Sequence, residues 1–89
     1  MSVKIKTHPF LRRFLNNQEE VEVTGTTVGE CIDDLEHKFP GFKEQILRNG
    51  KLRDIFEIYV NYDSAYPEEL ARPVKDGDTV TIITYIAGG

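Results

Sequence analysis

Apolar and polar residues alternate over Val3-Lys4-Ile5-Lys6-Thr7, the two-residue period of a half-buried strand. Pro9 ends the run. Glu20-Val21-Glu22-Val23 repeats the alternation, and an antiparallel hairpin is the simplest way to join two strands so close in sequence. Between them, Phe10, Leu11 and Phe14 recur in a short basic segment with Arg12 and Arg13. It reads as a loop pinned to the core by its large side chains, and Asn16-Asn17 marks a turn. The period then changes. Val28, Cys31, Ile32, Leu35 and Phe39 make one helical stripe. Thr27 and Glu30 have capping-box spacing at its start, and Pro40-Gly41 stops it.

Residues 42–47 predict a short helical turn with Phe42, Ile46 and Leu47 inward, ended by Asn49-Gly50. Residues 55–60 are the most apolar run and are rich in β-branched and aromatic types, which predicts a central strand. Phe56, Ile58 and Val60 share one face; Ile55, Glu57, Tyr59 and Asn61 share the other. Asn61-Tyr62-Asp63-Ser64 reads as a turn into a short edge strand, and residues 68–71 as a single helical turn before Pro73. Asp76-Gly77-Asp78 is a tight turn. Residues 79–84 form the last strand, with Val80 and Ile82 pointing one way and Thr81, Ile83 and Tyr85 the other.

This order predicts an α+β fold: a mixed sheet of four to five strands with one main helix packed on one face. The helix can carry the chain from the second strand to a third, at 55–60, lying parallel to the first. That is a β-grasp (ubiquitin-like) arrangement. The expected division is a domain over residues 1–85 and a flexible tail over 86–89.

Composition narrows the function. Eighty-nine residues make one small domain. A net charge of −4 argues against a nucleic-acid binder, which normally shows a basic face. No stretch approaches the ~20 apolar residues of a membrane span, and the first residues lack the apolar segment of a secretory signal, so the cytoplasm is the expected location. The single cysteine, Cys31, sits on the helical stripe and reads as a small core residue. His8 and His37 lack metal-type spacing. No nucleophile, base and orienting group form a visible set, so the chain reads as no enzyme.

The remaining candidate chemistry is at the end. An apolar strand pattern gives way to Ile86-Ala87-Gly88-Gly89. Glycines lack Cβ and take the widest range of backbone angles. Such a tail fits a channel too narrow for side chains and presents one chemical handle, the α-carboxylate of Gly89. The plain alternative is a frayed terminus. Tyr59, Ile83 and Tyr85 are candidates for a partner-binding patch on the sheet face opposite the helix, or they simply shield that face. Arg12 and Arg13 either pair with an acidic partner or lie solvated.

Several segments together resemble the MoaD/ThiS family of ubiquitin-like sulfur carriers. They are Thr27-Val28-Gly29-Glu30, Gly50-Lys51-Leu52, Ile58-Tyr59-Val60-Asn61, the run from Asp76-Gly77-Asp78 through Ile82, and the terminal Gly88-Gly89, in that order. The resemblance covers essentially the whole chain. Within the family, Gly50-Lys51-Leu52, Ile58-Tyr59-Val60-Asn61 and Ala87-Gly88-Gly89 look most like carriers of cysteine biosynthesis, then molybdopterin-synthase small subunits. The latter often have prolines where this chain has Thr84-Tyr85; thiamin synthesis ranks third.

The resemblance implies that the Gly89 carboxylate is adenylated with ATP by a ubiquitin-activating-type partner enzyme. It also implies conversion to a thiocarboxylate that donates sulfur to a synthase making cysteine or molybdopterin. Ile86, Ala87 and Gly88 would enter the partner's active site. The chain would bind no cofactor itself and would be a monomer with transient heterocomplexes, touching neither nucleic acid nor membrane. The alternatives are a ubiquitin-like modifier joined to lysines through Gly89, and a non-covalent β-grasp interaction module.

Overall fold

The computed structural model describes residues 2–84, so the expectations placed on Tyr85, Ile86, Ala87, Gly88 and Gly89 lie outside the described residues. Strand β1, Val3–Thr7, alternates buried and exposed side chains along its length and pairs antiparallel with β2, Glu20–Val23. Helix α1, Val28–Lys38, buries Val28, Cys31, Ile32 and Leu35 completely. Phe39 caps its C-terminus and is partly buried. Glu30 N–H donates to Thr27 Oγ1 at 3.1 Å, the expected half of the capping box. The Glu30 carboxylate reaches one residue further back than expected, accepting from Thr26 N and Thr26 Oγ1, both at 2.7 Å.

Helix α2, Lys43–Ile46, follows, with Phe42 and Ile46 wholly buried. Strands β3, Leu47–Arg48, and β4, Lys51–Leu52, form a small antiparallel ribbon around Asn49 and Gly50. Both turn residues have positive φ, 54° and 78°, the geometry for which Asn-Gly is favoured. Asn49-Gly50 therefore does more than end a helical turn.

Strand β5, Phe56–Val60, β6, Asp63–Ser64, and β7, Thr79–Thr84, complete a five-stranded sheet in the order β2-β1-β7-β5-β6. One expectation about strand direction is corrected here. β5 is not parallel to β1: it runs antiparallel to β7, and β7 is the parallel neighbour of β1. Hairpins occupy the outer side of β1 and of β5, so the slot between those strands is left for the last strand. Val80 and Ile82, both 0% exposed, suit that central position. Each such residue contributes about 1.5–3 kcal/mol by leaving water.

The segment expected to be a pinned loop is a 3-10 helix, Pro9–Leu15. Proline suits a helix's first turn, and His8 Nδ1 accepts from Phe10 N at 3.1 Å. Helical spacing turns Leu11 and Leu15 inward to full burial and leaves Phe10 44% exposed, so Leu15 rather than Phe10 is the second anchor. A second 3-10 turn, Glu69–Ala71, packs against α1. The close contact there is Gly29, where an added Cβ would lie 2.9 Å from Leu70 O. The inner sheet face and the α1 stripe form one core, the β-grasp arrangement expected.

Candidate functional site

The candidate site has two described parts: the sheet end from which the last strand leaves, and the sheet face opposite the helix. Parallel pairing sets the first. Thr7 lies opposite Ile82, and His8 N donates to Ile82 O at 2.8 Å. The C-terminal ends of β1 and β7 therefore lie at the same end of the sheet, on adjacent strands about 4.8 Å apart. At the other end β7 is clamped. Asn61 N–H donates to Thr79 O at 2.7 Å, and Thr79 N–H donates to Asn61 Oδ1 at 3.1 Å.

On the outer face, Tyr59 lies opposite Thr81 on one side and Ser64 on the other, while Ile83 lies opposite Glu57. Tyr59 and Ile83 are thus diagonal neighbours on one face, within reach of a common partner. Both are half-buried. The Tyr59 hydroxyl donates to Glu57 Oε1 at 3.1 Å, and Ser64 Oγ donates to Glu57 Oε2 at 3.2 Å. Donation to that carboxylate raises the phenol's pKa, so Tyr59 stays neutral. The rest of the face is polar, with Lys4 and Lys6 opposite Glu22 and Glu20. Tyr85, the third member expected, lies outside the described residues.

The described residues offer little reactive chemistry of their own. Cys31 is fully buried, and burial first, then Asp34 and Glu30, pushes its thiol up to about 11. A thiol that stays protonated at neutral pH is a poor nucleophile. No cluster of three or more His, Cys, Asp or Glu among the described residues could hold a metal ion, and no helix among them is long and apolar enough to cross a membrane. A groove of about 660 Å³ between β4 and the Glu69–Ala71 turn is lined by Leu52, Phe56, Leu70 and Tyr66, with Arg53 and Glu69 of opposite charge at its wall.

Residues 10–89 match the ThiS family. The chain belongs to the ThiS family. Across the full length of both proteins it is 37% identical to the sulfur carrier protein CysO of Mycobacterium tuberculosis. It is 36% identical over 73 residues to the molybdopterin synthase sulfur carrier subunit of the same organism, covering 81% of this chain and 76% of the relative. A chain in the crystal structure of the Amycolatopsis orientalis BexX/CysO complex superposes with a TM-score of 0.91 at 36% identity, covering 98% of this chain and 99% of that one.

For this ThiS-family chain, sequence reasoning placed Tyr59 and Ile83 correctly on one face but did not foresee the exposure of Tyr62 and Tyr66, 97% and 74%. Tyr62 lies in the turn at residues 61–62 and Tyr66 in the turn at residues 66–67, and position in a turn was the one available signal.

Proposed function

We propose that this chain is a sulfur carrier whose working group is the carboxylate of Gly89. The observation that carries the reading is the likeness to the sulfur carrier protein CysO across all of both chains. In this reading residues 1–85 are the folded body and 86–89 the tail, with Ile86, Ala87 and Gly88 threading into the partner's active site. A Gly89 carboxylate oxygen attacks the α-phosphorus of ATP on a ubiquitin-activating-type adenylating enzyme, and pyrophosphate leaves. Hydrosulfide-level sulfur then attacks the acyl-adenylate carbon, AMP leaves, and a C-terminal thiocarboxylate remains. The carrier is a substrate in both steps and supplies no catalytic group.

The thiocarboxylate passes its sulfur to a synthase, and the fuller coverage of CysO than of the molybdopterin synthase subunit favours cysteine biosynthesis as the destination. The BexX/CysO complex, in which a CysO chain is bound to another protein, supports a carrier that docks on a partner protein. The outer face bearing Tyr59, Ile83 and Tyr85 is the proposed docking patch, and the cytoplasm the proposed location. Intact-mass analysis of the chain isolated from the cells that make it tests the reading. A fraction heavier by one oxygen-to-sulfur exchange supports it. Gly89 found joined to lysines of other proteins, with no sulfur form, would replace it with the modifier reading.

A further inference from the structure

An enzyme that works on Gly89 must come close to one end of this sheet. Five residues follow Thr84, and fully extended they span at most about 18 Å. The enzyme's body therefore faces whatever the fold displays where β7 leaves. Pairing of Thr7 with Ile82 places the Pro9–Leu15 helix there, one residue beyond the His8 N to Ile82 O bond.

That helix displays a held cation. The Arg13 guanidinium carbon lies 5.7 Å from the Phe10 ring centre and 5.3 Å from that of Phe14. Two rings within about 6 Å restrict a side chain that is otherwise rich in rotamers. Phe10 is itself 44% exposed, so the ring and the guanidinium it holds are both displayed at the surface. Residues 7–18 carry Arg12 and Arg13 and no Asp or Glu, and among the described residues Arg13, like several other basic side chains, has no ion pair. On a chain of net charge −4, a held and unneutralised arginine beside the exit of the last strand is a local reversal of sign.

We propose that Arg13, held between Phe10 and Phe14, docks an acidic surface of the adenylating enzyme that takes up the tail. This rests on the sulfur-carrier reading and adds a contact made by the body rather than by the tail. A charge contact at an interface rim acts mainly on encounter and weakens with salt.

The test is calorimetric binding of the full chain to the purified ubiquitin-activating-type adenylating enzyme of the same organism, at low and at high NaCl. Arg13→Glu is expected to weaken binding about tenfold at low salt and much less at high salt, since tenfold corresponds to about 1.4 kcal/mol. Arg13→Gln should fall between, and Arg13→Lys should restore most of the affinity. Melting curves of all variants confirm folding, which the surface position of Arg13 leaves intact. The Gly89-deleted chain should bind with the same dependence on Arg13. Unchanged affinity for Arg13→Glu at low salt would overturn the docking contact. Failure of the wild-type chain to acquire sulfur when bound would instead overturn the carrier reading, so the two failures are told apart.

Discussion

Asn61 Nδ2 donates to Asp78 Oδ1 at 3.1 Å, joining the residue just after β5 to the residue just before β7. Asn61 also adopts φ 56°, a left-handed conformation that few side chains tolerate. Its amide oxygen accepts from Thr79 N at 3.1 Å. One residue therefore turns the chain out of β5 and fixes where β7 begins. Asn61→Ala removes two side-chain hydrogen bonds of about 1 kcal/mol each and adds left-handed strain of about 1 kcal/mol. Urea titration should show a loss of roughly 2–3 kcal/mol. Asn61→Gly, which relieves the strain, should lose less.

Acid should destabilise the fold through specific carboxylates. Lys75 N–H first, then the Asn61 amide, holds the Asp78 carboxyl below its ordinary range. Glu36 is lowered by the Gly41 and Lys43 amides, and Asp34 by Lys38 and then the Thr24 amide. Each folded-state pKa lies below the unfolded one, so the stabilisation is complete above about pH 4, the ordinary carboxylate value, and is lost as pH falls through the folded values. The urea midpoint should hold steady from neutral pH to about 5 and fall below about 4. Asp78→Asn should lower the neutral plateau and flatten the acid slope. A midpoint that rose on acidification would contradict this.

Gly29 sets helix propensity against packing. Alanine in place of glycine inside a helix gains about 1 kcal/mol of propensity. The new Cβ at Gly29 would sit 2.9 Å from Leu70 O, a backbone atom with little room to yield. Overpacking of that kind costs about 1–3 kcal/mol, so Gly29→Ala should be net destabilising and should loosen the Glu69–Ala71 turn. Thermal melting measures the first effect, and amide exchange across residues 69–72 the second.

The outer sheet face yields a functional prediction. Tyr59→Thr removes the ring and its bond to Glu57 at 3.1 Å but keeps a β-branched side chain suited to a strand. Because Tyr59 lies outside the core, the melting temperature should change little while affinity for a protein partner falls several-fold, as truncation of an interface aromatic does. Equal loss of stability and affinity would return Tyr59 to a merely shielding role.

Local pattern made most of the fold legible. Val3 through Thr7, the Val28-Cys31-Ile32-Leu35 stripe and the alternation of Phe56, Ile58 and Val60 each declared an element, because one face of each is buried in a single core. Strand order was harder, since nothing local in residues 55–60 tells whether β1 or β7 will be the neighbour. The Pro9–Leu15 helix has just two buried anchors, too few to mark a period. Asn49-Gly50 did carry its hairpin signal, hidden by the shortness of the flanking strands, two residues each. The candidate site divides in the same way: alternation put Tyr59 and Ile83 on one face, whereas the held Arg13 needed the rings of Phe10 and Phe14 in three dimensions.

The most direct test is made at Gly89. The full chain and a chain lacking Gly89 are each incubated with ATP, the adenylating enzyme and sulfide, and fragment masses locate any change. The carrier reading predicts one oxygen-to-sulfur exchange, confined to Gly89 and absent from the shortened chain. An equal yield of sulfur in the shortened chain, or exchange located elsewhere, would contradict it.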